Sequence, residues 1–115
     1  MLELSPEEFE EMVADELDAL PDEMVAHLDN VVFLIEPRPE DGSETLGLYE
    51  GVSLLDRGGY GYGEAPDRII LYRENLLAFC EDRAQLADEI HITLVHEIAH
   101  FHGIDDDRLH ELGWG

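Results

Sequence analysis

The sequence contains no lysine, and its six arginines face 29 aspartates and glutamates, a formal net charge of −23 over 115 residues. A surface of that sign repels nucleic-acid phosphates and anionic membrane, so neither is an expected partner. Lysine-free, carboxylate-rich composition fits adaptation to high salt, where screening weakens self-repulsion. An acidic face that attracts a basic partner or mimics nucleic acid, and a plain compositional bias, are the other readings. Cysteine is nearly absent as well. Cys80 stands alone, which excludes an intrachain disulfide and fits a reducing compartment; it is expected as a small core residue rather than a nucleophile. No apolar run approaches the ~20 residues of a membrane span, and Met1 leads into an acidic segment instead of a basic, apolar leader. A cytoplasmic protein is therefore expected. Repeats, linkers and low-complexity tracts are missing too. The length fits one domain over residues 1–115, enough for a core but too little for a two-lobed protease.

What is present reads as helix, strands, then helices, an α+β arrangement. Ser5-Pro6-Glu7-Glu8 opens a helix, with Ser as N-cap, Pro in the first turn and Glu near the positive helix end. Phe9, Met12, Val13, Leu17 and Leu20 give it an apolar stripe, and Pro21 kinks or restarts it before Met24, Val25 and Leu28. Val31–Ile35 is a β-branched run stopped by Pro37 and Pro39, which predicts a strand. Glu40–Thr45 reads as a turn. Leu46–Leu55 is a second extended stretch whose Gly47 and Gly51 suit an edge strand with a bulge. Gly58–Gly63, with Tyr60 and Tyr62, is too glycine-rich for regular structure and predicts a mobile loop, without the Lys of a phosphate-binding loop. Arg68–Arg73 is the third strand candidate. A short helix over Asn75–Cys80, a long one over Arg83–Phe101 and a last one over Asp106–Leu112 complete the chain.

The long helix carries the chemistry. His96-Glu97-Ile98-Ala99-His100 continues through Gly103 to Asp106 as HExxHxxGxxD. Imidazoles four residues apart on a helix point the same way and can bind one metal from a rigid element. Glu97 sits about 100° further round, too far to join them as a helical ligand but placed to take a proton from water. Gly103 supplies a helix stop, after which the chain can bring a carboxylate from the Asp run to the metal. Ala87, Ile90, Leu94, Val95, Ile98 and Phe101 form the core stripe of this helix. Glu89, Thr93, His96 and His100 form a polar stripe opposite. His91 falls toward the apolar side, where a satisfied, semi-buried histidine is expected. His27 and His110 read as surface residues, and Trp114 as a tail anchor.

With the motif on a helix behind a few strands, the chain resembles the compact zincin-like metallopeptidases, sometimes called minimal zincins. Leu46-Gly47-Leu48-Tyr49-Glu50-Gly51, Pro66 through Arg73, Ile92 through Gly103 and the tail from Asp105 to Gly113 carry the likeness. It implies a small mixed sheet packed against an N-terminal helix and a metal-binding helix. It also implies His96, His100 and Asp106 as metal ligands and Glu97 as catalytic general base. Asp105, Asp107 and His102 are the rivals of Asp106. No Met follows the motif and the third ligand is not His, which separates the chain from metzincins.

The function this implies is a zinc-dependent metallopeptidase acting on a peptide or protein substrate, with another divalent transition metal as a possible substitute. Zinc with three protein ligands keeps a position for water and makes it acidic; Glu97 would take the proton and return it to the leaving amine. Neutral imidazole is the metal-binding form, so binding is expected to weaken as pH falls. Tyr60 and Tyr62 are candidate oxyanion donors, against the plainer reading as packing aromatics. Leu46–Gly51 could pair with an extended peptide by β-addition. The alternative is a catalytically silent zincin-derived module that holds metal and engages a partner through its acidic surface. A metal-dependent hydrolase of other amides is the third reading.

Overall fold

In the computed structural model the described residues are 2–26, 28–51, 66–104 and 106–111, and the side chains of Asp29, Asp106, Leu109 and His110 fall outside the description. Helix α1 (Pro6–Asp18) begins as its sequence predicts. Ser5 Oγ accepts from the Glu8 amide at 3.1 Å while Glu8 Oε1 accepts from the Ser5 amide at 3.2 Å, a reciprocal cap that satisfies two otherwise orphaned donors. Pro21 restarts the helix rather than kinking it: it is the N-cap of a separate turn, α2 (Asp22–Val25). A short 3-10 turn over Leu28–Asn30 leads into strand β1 (Val31–Glu36).

Strands β2 (Gly47–Glu50) and β3 (Asp67–Tyr72) complete a mixed three-stranded sheet in the order β1-β3-β2. β3 is central, parallel to β1 and antiparallel to β2. Its position explains its sequence, because Ile69-Ile70-Leu71-Tyr72 is flanked on both sides by strands and is buried throughout. β2 is an edge strand, as expected, though a short one. The rest of that extended stretch, residues 52–55, lies outside the described residues, as do Tyr60, Tyr62, His27 and Trp114.

Helix α3 (Arg73–Phe79) follows β3 without a loop, two residues earlier than the pattern predicts. Asn75 explains the tight junction: its side-chain amide donates to the carbonyls of Ser43 and Thr45 at 2.9 and 2.8 Å and ties the helix to the segment entering β2. Helix α4 (Arg83–His102) is capped by Asp82, which accepts from the Gln85 amide at 2.8 Å. Helix α5 (Asp106–Glu111) ends the described chain.

The core lies between one face of the sheet and the helices. Phe9 and Val13 of α1, Ile69 and Leu71 of β3, Leu76 of α3 and the α4 row Leu86, Ile90, Leu94 and Ile98 share it. Each fully buried Leu or Ile contributes about 1.5–3 kcal/mol relative to exposure. Cys80 is buried in the same cluster, and burial raises its thiol pKa, which fits its reading as a core residue. The α+β arrangement around a small mixed sheet, expected from the sequence, is the one observed. Among the described residues no helix is long and apolar enough to cross a membrane.

Tyr72 makes the alkaline limit of this fold testable. Burial, and then the carboxylates of Glu36, Glu50, Asp41 and Glu40, push its phenol above the ordinary value. An unfolded tyrosine loses its proton near pH ~10, so below that pH the group is neutral in both states and its contribution to stability is complete. Above it the unfolded chain ionises first, and that contribution is lost as pH rises through the folded pKa. Alkaline denaturation of Tyr72→Phe beside the parent is expected to show a shallower loss of stability above pH ~10. Identical slopes would remove Tyr72 as the cause.

Candidate metal-binding site

The site is built by two close approaches of β2 to α4. Gly47 lies so near the helix that a Cβ there would stand 2.5 Å from Thr93 Cγ2. Glycine in the strand thus marks a backbone-to-helix contact rather than the bulge its sequence suggested. Two residues on, Tyr49 stacks edge-on against Phe101, with ring centroids 6.2 Å apart. Thr93, Glu97 and Phe101 are four residues apart on α4 and form one row. Since β2 covers the two ends of that row, Glu97 lies beneath the strand between them. Its carboxylate is only 12% exposed.

Thr93 is the buried member of its polar stripe. It lies in that stripe as read from the sequence, yet it is buried under Gly47. His91 departs from expectation: it is exposed, with Nδ1 3.6 Å from Glu16 on α1. The apolar side of α4 ends short of His91 because α1 meets the helix there with a charged residue.

His96 and His100 occupy the neighbouring row, on the side of α4 away from Leu94 and Ile98. Those two share the core cluster with Ile69 and Leu71 of β3, so the histidines face away from it. His96 is half-buried and His100 is 52% exposed. His100 Nδ1 lies 3.1 Å from Glu97 Oε1. Assigned as an Nδ1–H donor, this contact fixes the ring and leaves Nε2 as the nitrogen a metal would take. His102 faces elsewhere, its Nε2 donating to the Met24 carbonyl at 2.9 Å and its ring edge-on to Phe101.

Gly103 ends α4 as its sequence predicts. It adopts the left-handed conformation at φ 76°, its amide donates to the His100 carbonyl at 3.0 Å, and the Ile104 amide donates to the Ala99 carbonyl at 2.9 Å. These two hydrogen bonds close the helix and reverse the chain, and Ile104 packs on the core to hold the reversal. Asp106 then opens α5 three residues after Gly103. Its side chain, and all of Asp105, fall outside the described residues; Asp107 is exposed. Among the described residues no three His, Cys, Asp or Glu side chains converge as a metal-binding group. The donor set nevertheless suits a borderline cation such as zinc: two imidazoles from one rigid helix and, past a sharp reversal, a run of carboxylates.

Residues 28–114 match the family model of the zincin-like metallopeptidases. The chain belongs to that family. The match takes in all three strands, the HExxH helix and α5, and leaves α1 and α2 outside it. No curated protein matches the chain. Among solved structures, a conserved hypothetical protein from Thermus thermophilus is similar over 95% of this chain and 97% of its own, at 24% identity and a TM-score of 0.60. That likeness carries the fold alone. Within a zincin-like frame, Asp67 and Tyr49 were missed by sequence reasoning: the Tyr49 hydroxyl donates to the buried Asp67 carboxylate at 2.7 Å and binds the free end of β2 to the start of β3. Their place in the strand passages on which the resemblance was read was the available signal.

The Gly47–Thr93 contact can be tested by a double-mutant cycle. Gly47→Ala is expected to destabilise the fold by about 1–3 kcal/mol, and Thr93→Ala in the same chain should recover much of that loss. Thermal unfolding of the four proteins checks it. Additive effects would mean that the strand and helix are not in contact at this point.

Proposed function

We propose that the protein is a zinc-dependent peptidase in which Glu97 is the general base and His96, His100 and Asp106 hold the metal. The observation that carries this reading is the pairing of Glu97 with His100 beneath β2, beside a second histidine one turn away. Zinc bound there would supply Lewis acidity and lower the pKa of water toward ~7. Another divalent transition metal with the same ligand preference could substitute. Glu97 takes a proton and later donates it to the leaving amine, and its sheltered position keeps it against the reacting group. His100 presents Nε2 while its Nδ1–H donates to Glu97, so base and ligand orient each other. Asp106 follows the reversal at Gly103 at the spacing of the motif.

Substrate selection falls to the edge of the sheet. Among the described residues no strand pairs with the outer edge of β2, which would then offer its backbone groups to an extended peptide. Such an open edge suits short or unfolded segments better than folded domains. With a net charge of −23, nucleic acid and anionic membrane remain unsuitable as partners.

One observation favours a second reading. Glu97 already has a partner in His100, as it would in a site where metal is structural and the module acts by binding. Metal analysis and one variant separate the two. Protein purified without added metal is expected to carry near one zinc per chain, and His100→Ala to lose it. Glu97→Gln should retain zinc while kcat on unfolded peptide substrates falls about 10²–10⁴-fold. A Glu97→Gln protein as active as the parent would overturn the peptidase mechanism.

A further inference from the structure

The sheet has a second face, turned away from α4 and from the histidine row. Register places Val32 and Leu34 of β1, Ile70 and Tyr72 of β3, and Leu48 of β2 on it. None of these five belongs to the core cluster or packs against it, whereas their alternating neighbours Val31, Phe33, Ile35, Ile69, Leu71 and Tyr49 do. Val32 and Leu48 are 39% and 40% exposed, unusual for large aliphatic residues in a sheet. A cavity of about 450 Å³ opens over Leu48, Ile70 and Tyr72, and its rim carries Glu36, Glu40, Asp41 and Glu50.

The charges on that rim are unbalanced. Arg68 is the one cation lining the cavity among the described residues, and it is committed: its Nη2 donates to both Glu50 oxygens at 2.9 and 2.8 Å. Glu36, Glu40 and Asp41 have no ion-pair partner among the described residues. Asp41 accepts the Ser43 amide at 2.9 Å, which fixes the turn that presents it. The fields of these carboxylates converge on the apolar floor, as their joint effect on Tyr72 shows.

We propose that this face is a docking surface for a segment of another protein that carries arginine or lysine beside bulky apolar side chains. Leu48 and Val32 supply the exposed apolar area, and the rim decides what can cover it. A neutral or anionic apolar segment would strip water from three carboxylates without replacing it. A second copy of the chain would bring a further −23 charge against the first, and an anionic lipid surface is repelled in the same way. A cationic, apolar segment satisfies both features, and the field of the whole protein steers it in.

The test is binding of a labelled peptide of alternating arginine and leucine, read by fluorescence anisotropy at low and at physiological salt. The combined variant Glu36→Gln, Glu40→Gln, Asp41→Asn should weaken binding about tenfold. A control with the same charge change on the exposed surface of α1, Glu10→Gln, Glu11→Gln, Asp15→Asn, should weaken it less than about twofold. Leu48→Ser should also weaken it, and a peptide with glutamate in place of arginine should not bind. Each of these side chains is at least partly exposed, and circular dichroism checks that the variants fold. Equal weakening by the two triple variants would reduce the effect to a diffuse field and overturn the proposal. So would failure of the arginine–leucine peptide to bind, or NMR shifts that fall on His96 and His100 instead of Leu48 and Ile70.

Discussion

The distance of closest approach between β2 and α4 governs the arrangement of everything else in the site. A side chain at position 47 would hold the strand off the helix by the width of a methyl group, and Thr93 already fills the available gap. With glycine there, the strand lies directly on the row Thr93–Glu97–Phe101, and the Tyr49 ring closes the far end. Glu97 is consequently sheltered, while the His100 side chain beside it is half exposed. A sheltered carboxylate beside an exposed histidine is difficult to arrange on a lone helix, whose turns are all equally exposed. The covering strand creates the difference.

The second constraint is the abrupt end of α4. A helix of 20 residues would carry its axis well beyond the histidines if nothing stopped it, and residues after His102 would then point along the same cylinder. The left-handed Gly103 breaks that direction, and the Ile104 contact with the core makes the break rigid. An alternative ending without glycine would place a Cβ in a conformation costing about 1–2 kcal/mol. The motif spacing from His100 through Gly103 to Asp106 is thus a statement about geometry: histidine, reversal, then the first residue of the next helix.

Much of this was legible before any coordinates. Hydrophobic period, Ser5, Pro21 and Gly103 gave helix limits within a residue or two, because caps and breakers act through local backbone chemistry. The β-branched runs located β1 and β3 for the same reason. Strand order was not legible, since nothing local tells β3 to enter between β1 and β2. His91 was misread, and the burial of Thr93 went unforeseen, because a helical wheel distinguishes polar from apolar but not which neighbour arrives. Thr93 meets a glycine and is buried; His91 meets Glu16 and stays in water. Asp67 escaped notice for a related reason, as its partner Tyr49 is 18 residues away and on another strand.

The composition also looks different once the sheet is seen from both sides. A uniform acidic coat, such as high salt favours, needs only solvated carboxylates spread over polar surface. On the outer sheet face the carboxylates instead surround aliphatic side chains that a three-stranded sheet of this size could have replaced with polar residues. Keeping Val32 and Leu48 half-exposed gains nothing for the core, from which they are separated by the sheet itself. Their retention beside Glu36, Glu40 and Asp41 argues that the surface is shaped by what covers it. Burial of such a face by a cationic partner would neutralise the rim and remove the aliphatic floor from water in one step, and each contribution would strengthen the other because carboxylate–cation attraction grows as water leaves.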